Sequence, residues 1–287
     1  MGKPNNKITV IFGPTASGKS NYAEQLAAKS NAVIINADSL QLYSQLKVLT
    51  ARPDDKREHK LYGVLSGNER SNLFWWYRQA VKEIKEAIAA NLYPILVGGT
   101  GMYLLALEKG VASIPEIPEE LHNFLKQKYD SKNTVQIHAE LAKLDPEAAS
   151  LLKANDRQRV LRALEVIIHT GKSIFAWRQE NKKLAELDIT WIAMQPAREN
   201  LYELINYRFL QMLENGAIEE IKSLLEQSLP EDHQIMKAVG VREIAAYLRG
   251  EITLDKAIEL AQRETRRYAK RQMTWLRNQL EPDVVVN

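Results

Sequence analysis

The sequence predicts an α/β protein: a parallel sheet core with an all-helical domain inserted into it. Three observations predict it. Short apolar runs at 8–12 (ITVIF), 32–36 (AVIIN) and 94–97 (PILV) are each followed by a polar or glycine-rich turn and then a helical pattern. Strand, turn and helix in repetition is the signature of parallel strands joined by crossover helices. The segment from 119 to about 185 reads as helix throughout. A strand pattern then returns at 188–195 (DITWIAMQ).

In chain order, Ile8–Phe12 is a β-branched run bounded by glycine, the pattern of a buried strand. GPTASGKS at 13–20 follows it and opens a helical pattern over 18–29, in which Tyr22, Leu26 and Ala27 share a face. That arrangement makes the core P-loop NTPase-like. The second run ends at Asp38, and its strand is expected beside the loop strand. The third leads into GGTGMYLLALEKG. In such sheets ligands sit at the carboxyl ends of the strands. GPTASGKS, ADSLQLY and GGTG all fall there, which points to one shared site. SIPEIPEE, beginning at Ser113, is a Pro- and Glu-rich boundary, after which LHNFLKQKY, TVQIHAELAKL, PEAASLL and RQRVLRALEVIIH are helical, with Gly171 as a C-cap. Residues 198–228 and 254–280 read as long amphipathic helices. The expected division is therefore a core of 1–113 and 188–287 and an inserted helical domain of 114–187.

Composition limits the chemistry. The 287 residues, 45% hydrophobic and 26% charged, suit one or two soluble domains. With no cysteine, disulfides, thiol nucleophiles and cysteine zinc sites are excluded. The histidines (His59, His122, His138, His169, His233) show no zinc-binding spacing, and Trp75-Trp76 reads as core. No apolar run reaches the roughly 18 residues that span a bilayer. The start, MGKPNNK, lacks the apolar stretch of a leader, and Asn6 stands where a myristoylation motif wants Ser or Thr. A cytoplasmic protein without membrane contact is expected, and, with no strong apolar seam, a monomer. The net charge of +3 is compatible with a polyanionic partner without requiring one.

G-x-x-x-x-G-K-[ST] between a strand and a helix is a phosphate-binding loop. Gly13 and Gly18 let the backbone curl so that N–H groups point inward, and the helix adds its positive end. Lys19 supplies a charge to phosphate oxygens, and Ser20 can ligate Mg²⁺. Most such loops hold a nucleotide such as ATP. Asp38 can hold a metal or act as a base, and Asp38 and Ser39 can equally cap a helix. Thr100 presents a hydroxyl at a helix start and can cap that helix or orient a substrate. Arg157, Arg159 and Arg162 form a basic run, the last two on one face, where a solvated surface is the ordinary explanation. In ETRRYAKRQMTWLR, Arg266, Lys270 and Arg277 share a face and alternate with Tyr268 and Trp275. Basic residues between aromatics suit phosphate contact with base stacking, although many such helices are plain surface.

In this order the motifs resemble the tRNA dimethylallyltransferase (tRNA isopentenyltransferase) family. They are GPTASGKS, NADSLQLY, Thr50-Ala51-Arg52-Pro53, PILVGGTGMYLLAL, NDRQRVLRALEV, YRFLQMLENGAIEEI, VGVRE and YAKRQMTWLR, spanning Ile8 to Arg277. The resemblance implies transfer of the five-carbon group of dimethylallyl diphosphate to the exocyclic N6 amine of the adenosine 3′ of a tRNA anticodon, with Mg²⁺ as cofactor. It implies that the loop, Gly13, Pro14, Thr15, Ala16, Ser17, Gly18, Lys19 and Ser20, binds the isoprenoid's diphosphate rather than a nucleotide. Asp38 becomes the general base, Thr100 a substrate contact and Arg208 a diphosphate contact. On pattern alone, Arg208 is a surface arginine of an amphipathic helix. Contacts with the anticodon stem-loop fall on Asp38, Ser39, Leu40 and Gln41; on Gln158, Arg159, Val160, Leu161 and Arg162; on Lys237 and Arg242; and on Lys270, Arg271, Gln272, Trp275 and Arg277. The target adenine must leave its stack, which costs least in a loop.

The chain departs from the family pattern at Leu49, where glycine is common, at Arg52 for lysine, at His59, which stands alone where a pair is common, and at Val241 for tyrosine. Three other readings fit parts of the sequence. An adenylate isopentenyltransferase has no need of the basic helices. A small-molecule P-loop kinase predicts ATP turnover. A non-catalytic RNA-binding P-loop protein tolerates loss of Asp38.

Overall fold

The structure is a computed structural model that describes residues 6–53 and 59–287. The first five residues of the start discussed above lie outside them. The chain forms two compact units, Met1–Glu108 with Leu184–Asn287, and Lys109–Lys183.

The first unit begins with β1 (Lys7–Phe12), α1 (Lys19–Ala27), β2 (Ala32–Asn36), β3 (His59–Lys60), α2 (Leu73–Ala89), β4 (Tyr93–Gly98) and α3 (Gly101–Lys109). The second unit holds α4 (Glu119–Tyr129), α5 (Thr134–Leu144), α6 (Pro146–Leu151), α7 (Arg157–Thr170) and α8 (Ile174–Gln179). The chain returns to the first unit with β5 (Asp188–Met194), α9 (Arg198–Glu214), α10 (Ala217–Glu226), a 3-10 turn at Ile235–Lys237, α11 (Val241–Leu248), α12 (Leu254–Gln279) and β6 (Val284–Val286). Residues 198–228 are thus two helices, not one. The amphipathic period runs on, but Gly216 takes φ 95° and starts α10 afresh.

Among the described residues six strands form one parallel sheet in the order β3-β2-β4-β1-β5-β6. The core is of the P-loop NTPase-like kind, a loop and helix following the central strand. One correction follows for the site. β2, which carries Asp38, does not lie beside β1; β4 intervenes, with Ile35 against Leu96 and Val10 against the same Leu96. Asp38 and the phosphate loop therefore flank the turn that carries Thr100. β1, β2 and β4 are buried along almost their whole length because both faces are covered. Ile11, Ile34, Ile95, Val97 and Ile192 pack with Ala23 and Ala27 of α1 in one layer.

Strand β4 ends at a forced glycine. A Cβ on Gly98 would stand 2.1 Å from the backbone carbon and oxygen of Ala37, a contact neither strand can relieve by side-chain movement. Gly98→Ala is expected to cost at least the roughly 1–3 kcal/mol of an overpacked core, read as a lower denaturant midpoint. A wild-type midpoint would show that the two strand ends separate easily.

The helical unit has its own core, in which Leu125, Tyr129, Ile137, Leu141, Val160 and Leu164 are buried together. α5 and α7 start at side-chain caps. Asn133 makes a capping box with Gln136, Asp156 caps α7, and Gly171 ends it at φ 67°. The chain enters and leaves this unit side by side, Val111 and Lys182 each donating a backbone N–H to the other's carbonyl at 3.2 Å.

Candidate active site

The loop between β1 and α1 is shaped by its own sequence. Gly18 stands at the N-cap of α1 with φ 84°, a left-handed conformation that costs other residues strain. The Ser17 N–H bonds the Pro14 carbonyl at 3.3 Å, and the Lys19 Nζ folds back onto the same carbonyl at 2.6 Å. The buried Ser17 Oγ has no partner. Burial, first of all, holds the Lys19 ammonium down to about 8; Asp38 opposes that effect and Arg208 adds to it.

Asp38 sits in a turn held from three sides. The buried Asn36 side chain accepts from the Asp38 N–H at 2.7 Å and donates to the carbonyls of Asp38 and Leu61, each at 2.9 Å. Trp76, itself buried and stacked on Tyr103 at 4.1 Å, donates its indole N–H to the Asn36 carbonyl. One carboxylate oxygen accepts from the Leu40 N–H at 2.9 Å, so Asp38 closes an Asx turn rather than capping a helix. The Thr100 N–H donates to the Ala37 carbonyl, and its Oγ1 accepts from the Ser39 N–H at 3.0 Å. Thr100 thus holds the turn that presents Asp38 and does not cap α3. Gln41 bonds the Thr50 carbonyl at 3.0 Å.

Arg208 departs furthest from its sequence pattern. It is enclosed, not a surface arginine, and donates to the Thr15 hydroxyl at 2.5 Å. Burial weakens its hold on its proton and Asp38 partly restores it. The Asp38 charge is felt by Lys19, Arg208, Tyr62, Tyr103 and Tyr268, which puts it at the electrostatic centre of the site. Thr15, Asp38 and Arg208 line a cleft of about 610 Å³, open mouth included. The rest of its lining is largely apolar: Leu40, Leu49, Ile205, Phe209, Met212, Ala238 and Val239, with Thr50, Thr265 and Tyr268. Ile205, Arg208, Phe209 and Met212 lie on one face of α9. Ile205 packs with a cluster that takes in Ala16 of the loop. Phe209 and Leu49 instead lie against Gly240. The cleft therefore runs from a charged, phosphate-shaped end to a hydrocarbon wall.

The departures noted in the sequence have local explanations. The Val48 and Leu49 N–H groups both bond the Glu220 carboxylate at 2.8 Å, which presents the buried Leu49 side chain to the cleft. Arg52 bonds the Tyr43 carbonyl and crosses over Gly63. His59 pairs with Glu24 at 2.8 Å, and Val241 is buried.

On α12, Lys270, Arg271 and Arg277 are exposed, as are Lys237 and Arg242 near α11. Arg271 lies over the Tyr268 ring, and Trp275 packs on Gly101. Arg266 is half-buried and bonds Asn206. Gln272 faces inward and is buried. In the helical unit, Gln158, Arg159 and Arg162 are exposed, with Arg159 on Asp156 and Arg162 on Glu165 at 3.1–3.3 Å. Val160 lies in that unit's core and Leu161 packs against it, so neither offers a free side chain. Arg157 serves the fold, tying the carbonyls of Tyr129 and Lys132.

No group of three or more His, Cys, Asp or Glu able to hold a metal exists among the described residues. A Mg²⁺ bound through substrate phosphates needs no such cage, only a side-chain oxygen or two and water. Ser20, in the first turn of α1 and three residues after the buried, unpartnered Ser17 hydroxyl, fits that requirement.

The family model described as IPP transferase matches residues 41–279, and that of isopentenyl transferase matches 6–64. The chain belongs to the tRNA dimethylallyltransferase family. It is 44% identical over 280 residues to the tRNA dimethylallyltransferase of Azorhizobium caulinodans, covering 96% of this chain and 89% of that protein. It is 41% identical over 285 residues to that of Wolbachia pipientis wMel, covering 98% and 96%. Among solved structures it resembles a tRNA isopentenylpyrophosphate transferase of Staphylococcus epidermidis, with 32% identity, a TM-score of 0.68 and coverage of 99% and 93%. It also resembles a eukaryotic dimethylallyltransferase acting on tRNA, with 28% identity, a TM-score of 0.79 and coverage of 94% and 70%. Asn36 and Trp76 were missed as supports of Asp38; the asparagine beside the aspartate was the only signal.

Proposed function

We propose that this chain transfers the dimethylallyl group of dimethylallyl diphosphate to the N6 amine of the adenosine 3′ of a tRNA anticodon, giving N6-isopentenyladenosine. The observation that carries the reading is the cleft's division, with Thr15 of the loop, Asp38 and Arg208 at one end, Lys19 within electrostatic reach of the last two, and Leu49, Phe209 and Met212 beyond. That wall, mostly aliphatic with Thr50, Thr265 and Tyr268 set in it, suits a short hydrocarbon better than a ribose and base. This favours an isoprenoid diphosphate over ATP, and so favours the prenyltransferase over the kinase reading.

In the reaction the allylic C–O bond breaks and its electrons stay on the diphosphate. The N6 lone pair forms the new C–N bond, and Asp38 takes the N6 proton. The amine is a poor nucleophile because its lone pair is delocalised into the ring, so removal of that proton as the bond forms matters. Lys19, Arg208 and the loop N–H groups meet the charge that gathers on the leaving group, in an enclosed site where such contacts are strong. Mg²⁺, when bound, would be held at Ser20 and would neutralise diphosphate charge. Lys237, Arg242, Lys270, Arg271 and Arg277 supply cations for the RNA backbone, as do Arg159 and Arg162 of the helical unit, where Gln158 offers an exposed amide. The reading includes a cytoplasmic monomer; no helix among the described residues is long and apolar enough to cross a membrane.

The test is incorporation of label from dimethylallyl diphosphate into an anticodon stem-loop with its adenosine, and separately into AMP. Labelled RNA and unlabelled AMP are expected. Label in AMP alone would replace this reading with that of a free-nucleotide enzyme.

A further inference from the structure

We propose that Gln272 is a positioning residue for the phosphate loop and not an RNA contact. It lies on α12 among residues suited to RNA, between the exposed Arg271 and the Trp275–Arg277 turn. Its own side chain points the other way and is 7% exposed. The amide oxygen accepts from the Thr15 N–H at 2.9 Å, and the amide nitrogen donates to the Gly99 carbonyl at 2.9 Å. The two partners fix the amide's orientation, since Thr15 N–H can only donate and a carbonyl can only accept.

The surroundings are built to admit this side chain. A Cβ on Gly99 would stand 2.4 Å from the Gln272 amide nitrogen and 2.9 Å from the Gly13 carbonyl. Glycine at 99 therefore leaves room both for the loop's first residue and for the clamp. Thr15 is then held twice from outside the loop, through its N–H by α12 and through its hydroxyl by Arg208 of α9. With its N–H engaged by Gln272, Thr15 does not point that group into the phosphate site; it sets the path of the loop, in which Pro14 has no N–H and that of Ser17 bonds the Pro14 carbonyl, leaving the N–H groups of Ala16, Gly18, Lys19 and Ser20 for the anion. Buried polar side chains with both ends satisfied fix a single local arrangement, and losing one partner leaves the other unpaired. Gln272 thus fastens the inner face of α12 to the loop, while Lys270, Arg271 and Arg277 lie exposed on the same helix.

The inference rests on the phosphate-site reading above, and its test separates the two. Gln272→Met keeps length and volume and removes both hydrogen bonds. Gln272→Glu keeps an acceptor for Thr15 and removes the donor to Gly99. The full chain is titrated calorimetrically with inorganic pyrophosphate and Mg²⁺, and with an anticodon stem-loop; steady-state transfer is followed in parallel. Expected for Q272M are a tenfold or greater loss of pyrophosphate affinity, a matching rise in the KM for dimethylallyl diphosphate, a smaller change in kcat, and unchanged stem-loop affinity. Q272E adds a buried carboxylate beside the anion's loop and is expected to lose at least as much pyrophosphate affinity as Q272M; Gln272→Leu carries the same comparison should Q272M not fold. Unchanged pyrophosphate affinity, or stem-loop binding weakened as in Lys270→Ala, overturns the proposal. Pyrophosphate binding that depends on Gln272 in a chain that prenylates no RNA would instead sink the functional reading and leave the clamp standing.

Discussion

Asp38→Asn is expected to lower kcat by about 10²–10⁴, the range a positioned general base supplies, with little change in stem-loop affinity. The substitution is nearly isosteric, and the Asx turn survives it because the amide oxygen can still accept from the Leu40 N–H. The Asn36, Trp76 and Thr100 supports act on the backbone of the turn and remain in place. What disappears is the capacity to take the N6 proton, together with the charge that Lys19 and Arg208 feel. A second measurement separates these effects. Loss of that charge leaves the cations freer for the diphosphate, so donor affinity holds or rises while kcat falls. Single-turnover rates and pyrophosphate titration check both. Full activity in D38N would remove Asp38 from proton transfer.

Lys19→Ala is expected to cost about 10²–10³ in kcat/KM, the effect of removing one preorganised donor from a developing anion. The native lysine should also give the reaction an alkaline limb. Its ammonium titrates near 8 in the free protein, because burial and Arg208 outweigh the attraction of Asp38. Donor binding is therefore strong below about pH 8 and weakens as pH rises through it. Bound diphosphate favours the charged lysine, so the limb in kcat lies at higher pH than the limb in kcat/KM. Stability runs the other way. The folded protein holds this proton less tightly than the unfolded chain does, so fold stability rises between about pH 8 and the ordinary lysine value of 10.5. Initial rates from pH 6 to 10 in wild type and Lys19→Met decide the matter. An unaltered limb in the variant would assign it to another group.

Much of the sheet and of the candidate site's placement was legible in the sequence. The loop, Asp38 and Thr100 sit at strand ends because short apolar runs followed by glycine or polar turns can do little else in a parallel sheet. The 188–195 strand and the helices of 119–185 follow equally from local pattern. Three kinds of feature escaped. β3, two residues long, and β6, a bare Val284–Val286, are too short to show a period. The neighbour of β2 could not be read, because apolar runs mark a buried strand without naming its partner. Arg208 and Gln272 looked like surface residues because their partners, Thr15 and Gly99, lie far away in the chain. The helical period reports which face a residue occupies and is silent on what covers that face. Resemblance supplied Arg208, but it also grouped Gln272 with its exposed neighbours.

The paired backbone at Val111 and Lys182 has a consequence for how such a protein can vary in length. Where two chain segments are already hydrogen-bonded, whatever joins them is a closed loop whose ends are at a fixed, short separation. Closing a longer loop adds only about 0.6 kcal/mol for each doubling of its length. The helices beyond that neck, with a core of their own, can therefore gain or lose a turn, or a whole helix, at little entropic penalty to the sheet. Gly110, at φ 75° and with no room for a Cβ beside the Lys182 backbone, is the residue that keeps the neck closed.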